Sequence, residues 1–343
     1  ITLPGIAIAA LATLGLGAVL GPEAPLIALG GGLAVCVIRL RRGSASTPQR
    51  TVAVVASAGS FAAISTLLGS PLLAAFLLME AAGVGGPMLG VVLLPGLLAA
   101  GVGSLIFVGL DSWTGNGTFS LAIPNLPPFG RPDIAQFGWA LVIGVAAALL
   151  GTGIRMLALA VRPHVERRML VLTPVVGVVV GALALLYTEV SDHDLSGVLF
   201  SGQDALGPLI ANSADYTLGA VLLLCACKAL AYSLCLSSFR GGPIFPAMFV
   251  GAAGGIAMSH LPGLPLIPAV AMGIGAMSVS MLRLPLTSVM LATLLLYSDG
   301  VAVMPLVIVA VVVAHVVRAQ LPPAPRGHVA PVPVPAAAGM HPG

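Results

Sequence analysis

The chain has 343 residues, of which 58% are hydrophobic and only 7% charged, and its formal net charge is +3. A soluble domain devotes roughly 25% of its residues to Asp, Glu, Lys and Arg, so this chain cannot clothe a water-facing surface. Its small, scattered charge also excludes a nucleic-acid binder. The composition points to a multi-pass integral membrane protein of the cell membrane, with the lipid bilayer as its solvent.

In chain order, apolar segments are expected at 2–20, 51–67, 70–82, 86–110, 134–160, 169–188, 216–238, 265–280, 285–297 and 301–318. Shorter or glycine-rich pieces lie at 24–38, 205–212 and 244–258. A helix needs roughly 20 apolar residues to cross a bilayer, and several of these segments are too short to do so unaided. The 43 glycines and 28 prolines fit the same reading, because broken helices are tolerated in lipid where protein neighbours satisfy the freed backbone groups. Ile1 already lies inside an apolar run with no charged leader before it, which reads as a chain trimmed at its amino end. From about Leu321 the sequence turns Pro- and Ala-rich without periodicity, and 321–343 is expected to be a disordered tail with no regulatory domain after the last span.

The loops sort by charge. Arg39, Arg41, Arg42 and Arg50 gather in one and Arg162, Arg167 and Arg168 in another, whereas 189–204 carries Glu189, Asp192, Asp194 and Asp204. The loop 111–133 holds Asp111 and Asp133 among many prolines. By the positive-inside tendency the two arginine loops face the cytoplasm and the two acidic ones the outside.

Two pairs of Gly/Pro-interrupted starts recur in the same order. Gly21-Pro22-Glu23-Ala24-Pro25 opens a glycine-rich piece, and Ser70-Pro71-Leu72 opens an apolar run 46 residues after Pro25. In the second half Gly242-Pro243-Ile244-Phe245-Pro246 is followed by Leu284-Pro285-Leu286-Thr287, with Pro285 39 residues after Pro246. Such matched interruptions in two halves, about 1–130 and 131–320, point to a binding site between structural repeats.

Only Glu23 and Glu80 place a carboxylate well inside an apolar stretch. An ionisable group there costs roughly 2.5–3.5 kcal/mol on insertion scales and marks a functional position by default. Glu23 stands beside a helix start, whose unpaired N–H groups hold either an anion or a carboxylate. A carboxylate competing with an anion for the same amides is a gate, and protonation vacates the site. Lys228 is the only lysine, in an apolar segment that also carries Cys225, Cys227 and Cys235. It either finds a partner or snorkels. The four cysteines show no paired metal spacing, and neither metal nor organic cofactor is indicated. An intramembrane enzyme is disfavoured: the six histidines form no HExxH pairing and no serine lies in GxSxG. A cation transporter calls for more buried acids than two.

The order of motifs resembles the CLC family of chloride channels and chloride–proton exchangers. GPEAP (21–25), GSPLLAAFLLME (69–80), GPIFP (242–246) and RLPLT (283–287) stand where that family has its G-(R/K)-E-G-P, N-A-P-L-x-x-x-x-F-x-x-E, G-x-F-x-P and R-x-P-L-T elements. Ser237 and Ser238 match the serines before the third element, and Lys228 falls seven residues before Cys235, where relatives are basic. The resemblance implies an all-α membrane fold over 1–320, built as a CLC-like inverted repeat with full and partial helices. It further implies a homodimer and a chloride or similar anion pathway. Glu23 would be the gate; Gly21, Ala24, Gly242, Ile244 and Phe245 would supply amides for the anion; Glu80 would belong to a possible proton pathway. The departures are as telling. Pro22 and Ala24 replace the usual residues flanking the glutamate, and Ala81 stands where exchangers carry an internal proton-ferrying glutamate. No G-S-G-I-P element is present, and no Tyr follows Tyr297 to match the late pore tyrosine. Passive or weakly coupled flux is therefore favoured, with a proton-coupled antiporter and a nonconducting homologue as the alternatives.

Overall fold

A computed structural model describes residues 2–42, 48–82, 87–115, 123, 129–296 and 300–322. The expected tail from 323 onward and Tyr297 lie outside the described residues. Among those described, all regular structure is helical apart from one isolated bridge, and seven helices are long and apolar enough to cross a membrane. The protein is a multi-pass all-α membrane protein.

The helices are α1 (Thr2–Gly15), α2 (Glu23–Arg42), α3 (Gln49–Leu68), α4 (Pro71–Ala82), α5 (Pro87–Thr114), α6 (Ile134–Arg167), α7 (Met169–Ser191), α8 (Gln203–Ala211), α9 (Leu218–Ser238), α10 (Ile244–Ser259), α11 (Leu266–Leu282), α12 (Pro285–Leu295) and α13 (Gly300–Gln320). The piece expected at 24–38 proves longer than its three consecutive glycines suggest. Gly30, Gly31 and Gly32 do not break α2; Gly30 lets its backbone lie against Gly59 of α3. In lipid, where apolar side chains gain little from meeting each other, small residues at such crossings supply the close packing.

The chain divides into two compact units. The first contains α3, α4, α5 and α2 from Ala24 onward. Here α3 stops at Gly69, whose φ of 63° makes a left-handed cap with its N–H on the Ser65 and Thr66 carbonyls. Ser70 then starts α4 by accepting from the Leu73 N–H at 3.3 Å, and Pro71 needs no partner at the first helical position.

The second unit runs from Ile8 to Glu23 and from Leu121 to Pro325. Its centre is α11, in which every residue from Ile267 to Met281 is buried. Helix α10 crosses it through Gly251 and Gly255 against Gly273 and Ala269, while Val307 and Val311 of α13 close on Gly275. At 17 residues α11 is about 26 Å long, short of a full hydrocarbon core with its boundaries. It is a helix sheathed by protein rather than by lipid. Buried hydroxyls turn back on their own helices: Ser280 donates to the Ala276 carbonyl at 2.7 Å and Ser233 to Ala229 at 2.7 Å. At these two positions the hydroxyl hydrogen is not stranded where water is absent, whereas the buried hydroxyls of Ser65 and Ser278 find no partner among the described residues.

Candidate functional site

The residues at the two expected helix starts meet inside the second unit. Gly21 donates its N–H to the Gly242 carbonyl at 2.7 Å, and Gly242 donates to Gly21 at 2.6 Å. This antiparallel bridge holds the approach to α2 against the approach to α10. A Cβ added at either glycine would meet the carboxylate of Glu23, which would have to move. The bare backbone of both makes the cradle in which that carboxylate lies.

Glu23 is the first residue of α2 and is 2% exposed. Its Oε1 accepts the N–H of Phe245 at 3.0 Å. Phe245 is the second residue of α10, so this amide is one of the four that a helix start leaves without an internal partner. The Ile244 amide also acts on the carboxylate. Pro243, at the cap position, has no N–H to give and contributes no side-chain cap. The glutamate thus caps α10 from a distant part of the chain. A charge-assisted hydrogen bond contributes about 1.5–3 kcal/mol, and the positive end of the helix dipole adds about 0.3–1 kcal/mol. Oε2 has no hydrogen-bond partner among the described residues.

Of the sequence-predicted residues, Gly21, Glu23, Gly242, Ile244 and Phe245 come together here. Ala24 follows in the first turn of α2 and is half-buried. Glu80 is half-buried near the end of α4, in the first unit.

Three side chains of α9 shape the site without having been assigned to it by motif. Tyr232, wholly buried, donates its Oη to the Pro243 carbonyl at 2.9 Å and lies within electrostatic reach of Glu23. Cys235 accepts the Val19 N–H on Sγ at 3.2 Å. Lys228 is wholly buried, so it does not snorkel; its Nζ donates to the carbonyls of Leu199 and Phe200 at 2.9 and 3.1 Å and sits 4.6 Å from the Phe249 ring centroid. Residues 228, 232 and 235 recur at intervals of four and three in an otherwise apolar helix, which puts them on one face. That periodicity was the available signal. Ser237 and Ser238 end the same helix, 3.0 Å apart through their hydroxyls.

Residues 1–319 match the protein family described as "Voltage gated chloride channel". The "Putative ion-transport protein YfeO" of Escherichia coli O7:K1 (strain IAI39 / ExPEC) is 31% identical over 270 residues, which cover 77% of this chain and 59% of that protein. The protein of the same description from Shigella boydii serotype 4 (strain Sb227) gives the same identity and coverage, 31% over 270 residues. The chain therefore spans 59% of the length of these curated relatives. Among solved structures, a slow cyanobacterial Cl-/H+ antiporter superposes with a TM-score of 0.72 at 18% identity, covering 93% of this chain and 72% of that one. A CLC-type fluoride/proton antiporter gives a TM-score of 0.67 at 21% identity, over 92% of this chain and 74% of its own. At these identities the likeness is one of fold. With the family match running over nearly all of its helices, the chain belongs to the voltage gated chloride channel, or CLC, family.

Proposed function

We propose that this chain forms an anion pathway through the membrane in which Glu23 is a protonatable gate. The observation that carries this reading is the Glu23 carboxylate resting on the Phe245 amide at the start of α10. A helix start that holds a carboxylate holds a small anion equally well. When Glu23 takes up a proton its charge-assisted bond weakens, and the amides of Ile244 and Phe245, with the backbone of Gly21, Ala24 and Gly242 nearby, become available to chloride or a similar anion. The antiporters of like fold are described as moving chloride and fluoride, which supports a small monovalent substrate. The assembly that goes with this reading is a homodimer with one pathway per subunit.

Coupling to protons is the second part of the proposal. Ala81 follows Glu80 at the end of α4 and is exposed, and its methyl group can neither bind nor release a proton. Glu80 is adjacent, but successive helical residues point about 100° apart. Flux is therefore passive or weakly coupled, with antiport as the second reading, supported by the two neighbours described as proton antiporters. The test is the full-length protein in liposomes, with chloride and fluoride electrodes outside and a pH electrode beside them. Anion efflux with little or no uphill proton movement is the expected result. Robust proton pumping would overturn passive transport in favour of antiport through Glu80 or a water path, and no anion flux at all would overturn the transport reading.

The cradle gives a separate prediction. Gly242→Ala adds a methyl group where the Glu23 carboxylate lies, so the side chain must leave the Phe245 amide or the bridge must open. Overpacking of this kind costs about 1–3 kcal/mol. Flux from Gly242→Ala liposomes should lose most of its pH dependence while the protein melts only a few degrees lower. An unaltered pH profile would show that the cradle does not hold the gate.

A further inference from the structure

Three arginines from three different helices converge in the second unit. Arg155 lies within α6, Arg283 caps the end of α11 with a φ of 63°, and Arg318 is in the last turn of α13. Arg155 donates Nη1 to the Met281 carbonyl at 3.3 Å, which ties α6 to the end of α11. The charge of Arg283 acts on Arg155, and both act on Arg318, so the three guanidinium groups share one neighbourhood. Arg155 and Arg318 are half-buried and Arg283 is exposed. Besides the Met281 carbonyl, Arg155 feels the phenol of Tyr232, and that group is neutral at ordinary pH. An ion pair of another kind, Arg162 with Glu166 at 2.6 Å, lies one turn apart on α6.

Three permanent positive charges at the edge of a low-dielectric region repel one another, and no side chain among the described residues neutralises them. Charged groups within membrane helices pair with a partner or face a polar cavity. Here the protein brings the cations and leaves the anion to come from outside. Guanidinium forks match the several oxygens of a phosphate better than they match a single-point halide.

We infer that Arg155, Arg283 and Arg318 form a binding site for a phosphate-type oxyanion, supplied by an anionic phospholipid headgroup or by free phosphate. The site shares no residue with the Glu23 cradle, although Tyr232 lies within electrostatic reach of both, and it does not depend on the chain conducting anions.

Purified full-length protein in a neutral detergent tests it, with tryptophan fluorescence following thermal unfolding. Mixed micelles containing phosphatidylglycerol are titrated against phosphatidylcholine, and sodium phosphate against sodium gluconate at equal ionic strength. The melting midpoint should rise with phosphatidylglycerol and not with phosphatidylcholine. A rise with phosphatidylglycerol alone assigns the lipid headgroup as source; a rise with phosphate as well assigns a site open to free oxyanion. Arg318→Gln should raise the half-saturating concentration about tenfold or more, as expected for the loss of a charge-assisted hydrogen bond. Arg283 is exposed, so Arg283→Gln leaves the fold intact and carries the same expectation even where Arg318→Gln does not fold. The inference is overturned if neither phosphatidylglycerol nor phosphate stabilises the protein beyond its neutral control, or if Arg283→Gln responds to them as the parent does.

Discussion

Glu23→Gln should conduct anions faster than the parent near neutral pH and should lose the parent's dependence on pH. The parent carboxylate is held on the Phe245 amide by a bond of 3.0 Å whose strength comes from its negative charge. Glutamine keeps the size and removes the charge, as protonation does. A neutral acceptor at a helix start forgoes the dipole contribution, and its hydrogen bond has about half the strength of a charge-assisted one. The combined loss is about 1–3 kcal/mol, which corresponds to roughly a fivefold to hundredfold shift toward the displaced side chain. In the parent, lowering the pH protonates Glu23 and raises flux; in the variant the flux at low and neutral pH should coincide near the parent's acidic value. Chloride efflux from liposomes, measured from pH 4.5 to 7.5, reads both quantities (a range set by roughly where carboxylates titrate when buried). A variant whose pH profile overlays that of the parent would remove Glu23 from the gating role.

Much of the architecture is legible because lipid imposes a simple demand. Every backbone polar group must be satisfied within its own segment, so long apolar stretches become helices with little competition. The expected stretch at 169–188 is α7, Met169–Ser191, and the one at 285–297 is α12, Pro285–Leu295. Where a cap is strong the boundary falls as expected: Asp133 starts α6 at Ile134 by accepting the Gln136 N–H at 2.8 Å, while Gln136 reaches back to the Asp133 N–H. The other end of the same helix runs on to Arg167, past the expected 160. The piece expected at 24–38 extends as α2 to Arg42, and its Gly30 is a packing surface against Gly59.

The site was legible in its parts but not in its assembly. Two Gly/Pro starts and one intramembrane acid can be found along the sequence, yet nothing local says that Gly21 will bridge to Gly242. A pairing between residues more than two hundred positions apart depends on tertiary packing, which no periodicity encodes. The arginine neighbourhood is hidden for the same reason. Arg155, Arg283 and Arg318 are isolated charges in three separate segments until α6, α11 and α13 pack together.

Lys228 brings these arguments to a second large effect. Its Nζ joins the Leu199 and Phe200 carbonyls, and Phe200, held at a φ of 59°, passes its own N–H to the Gly17 carbonyl at 3.0 Å. From Gly17 the chain runs through Val19, tied to Cys235, to Gly21 and then Glu23. One lysine thus fixes the segment that delivers the gate. Lys228→Met keeps the stem's apolar packing and relieves the cost of burying an ammonium, which by itself favours the variant. Against that gain, two carbonyls directed at a wholly buried atom lose their donor, at about 1–3 kcal/mol each, and the contact with the Phe249 ring goes with them. Because the left-handed Phe200 cannot swing away without breaking its bond to Gly17, relaxation is small and the orphaned carbonyls decide the sign. The expected outcome is a loss of about 2–5 kcal/mol, seen as a lower melting midpoint and reduced yield from membranes. Anion flux per folded protein should fall as well, since the Gly17–Glu23 segment is no longer pinned. Lys228→Arg should recover part of both, having donors to offer the same two carbonyls. If Lys228→Met melts and conducts as the parent does, the carbonyl contacts are incidental and the gate is positioned by the Gly21–Gly242 bridge alone.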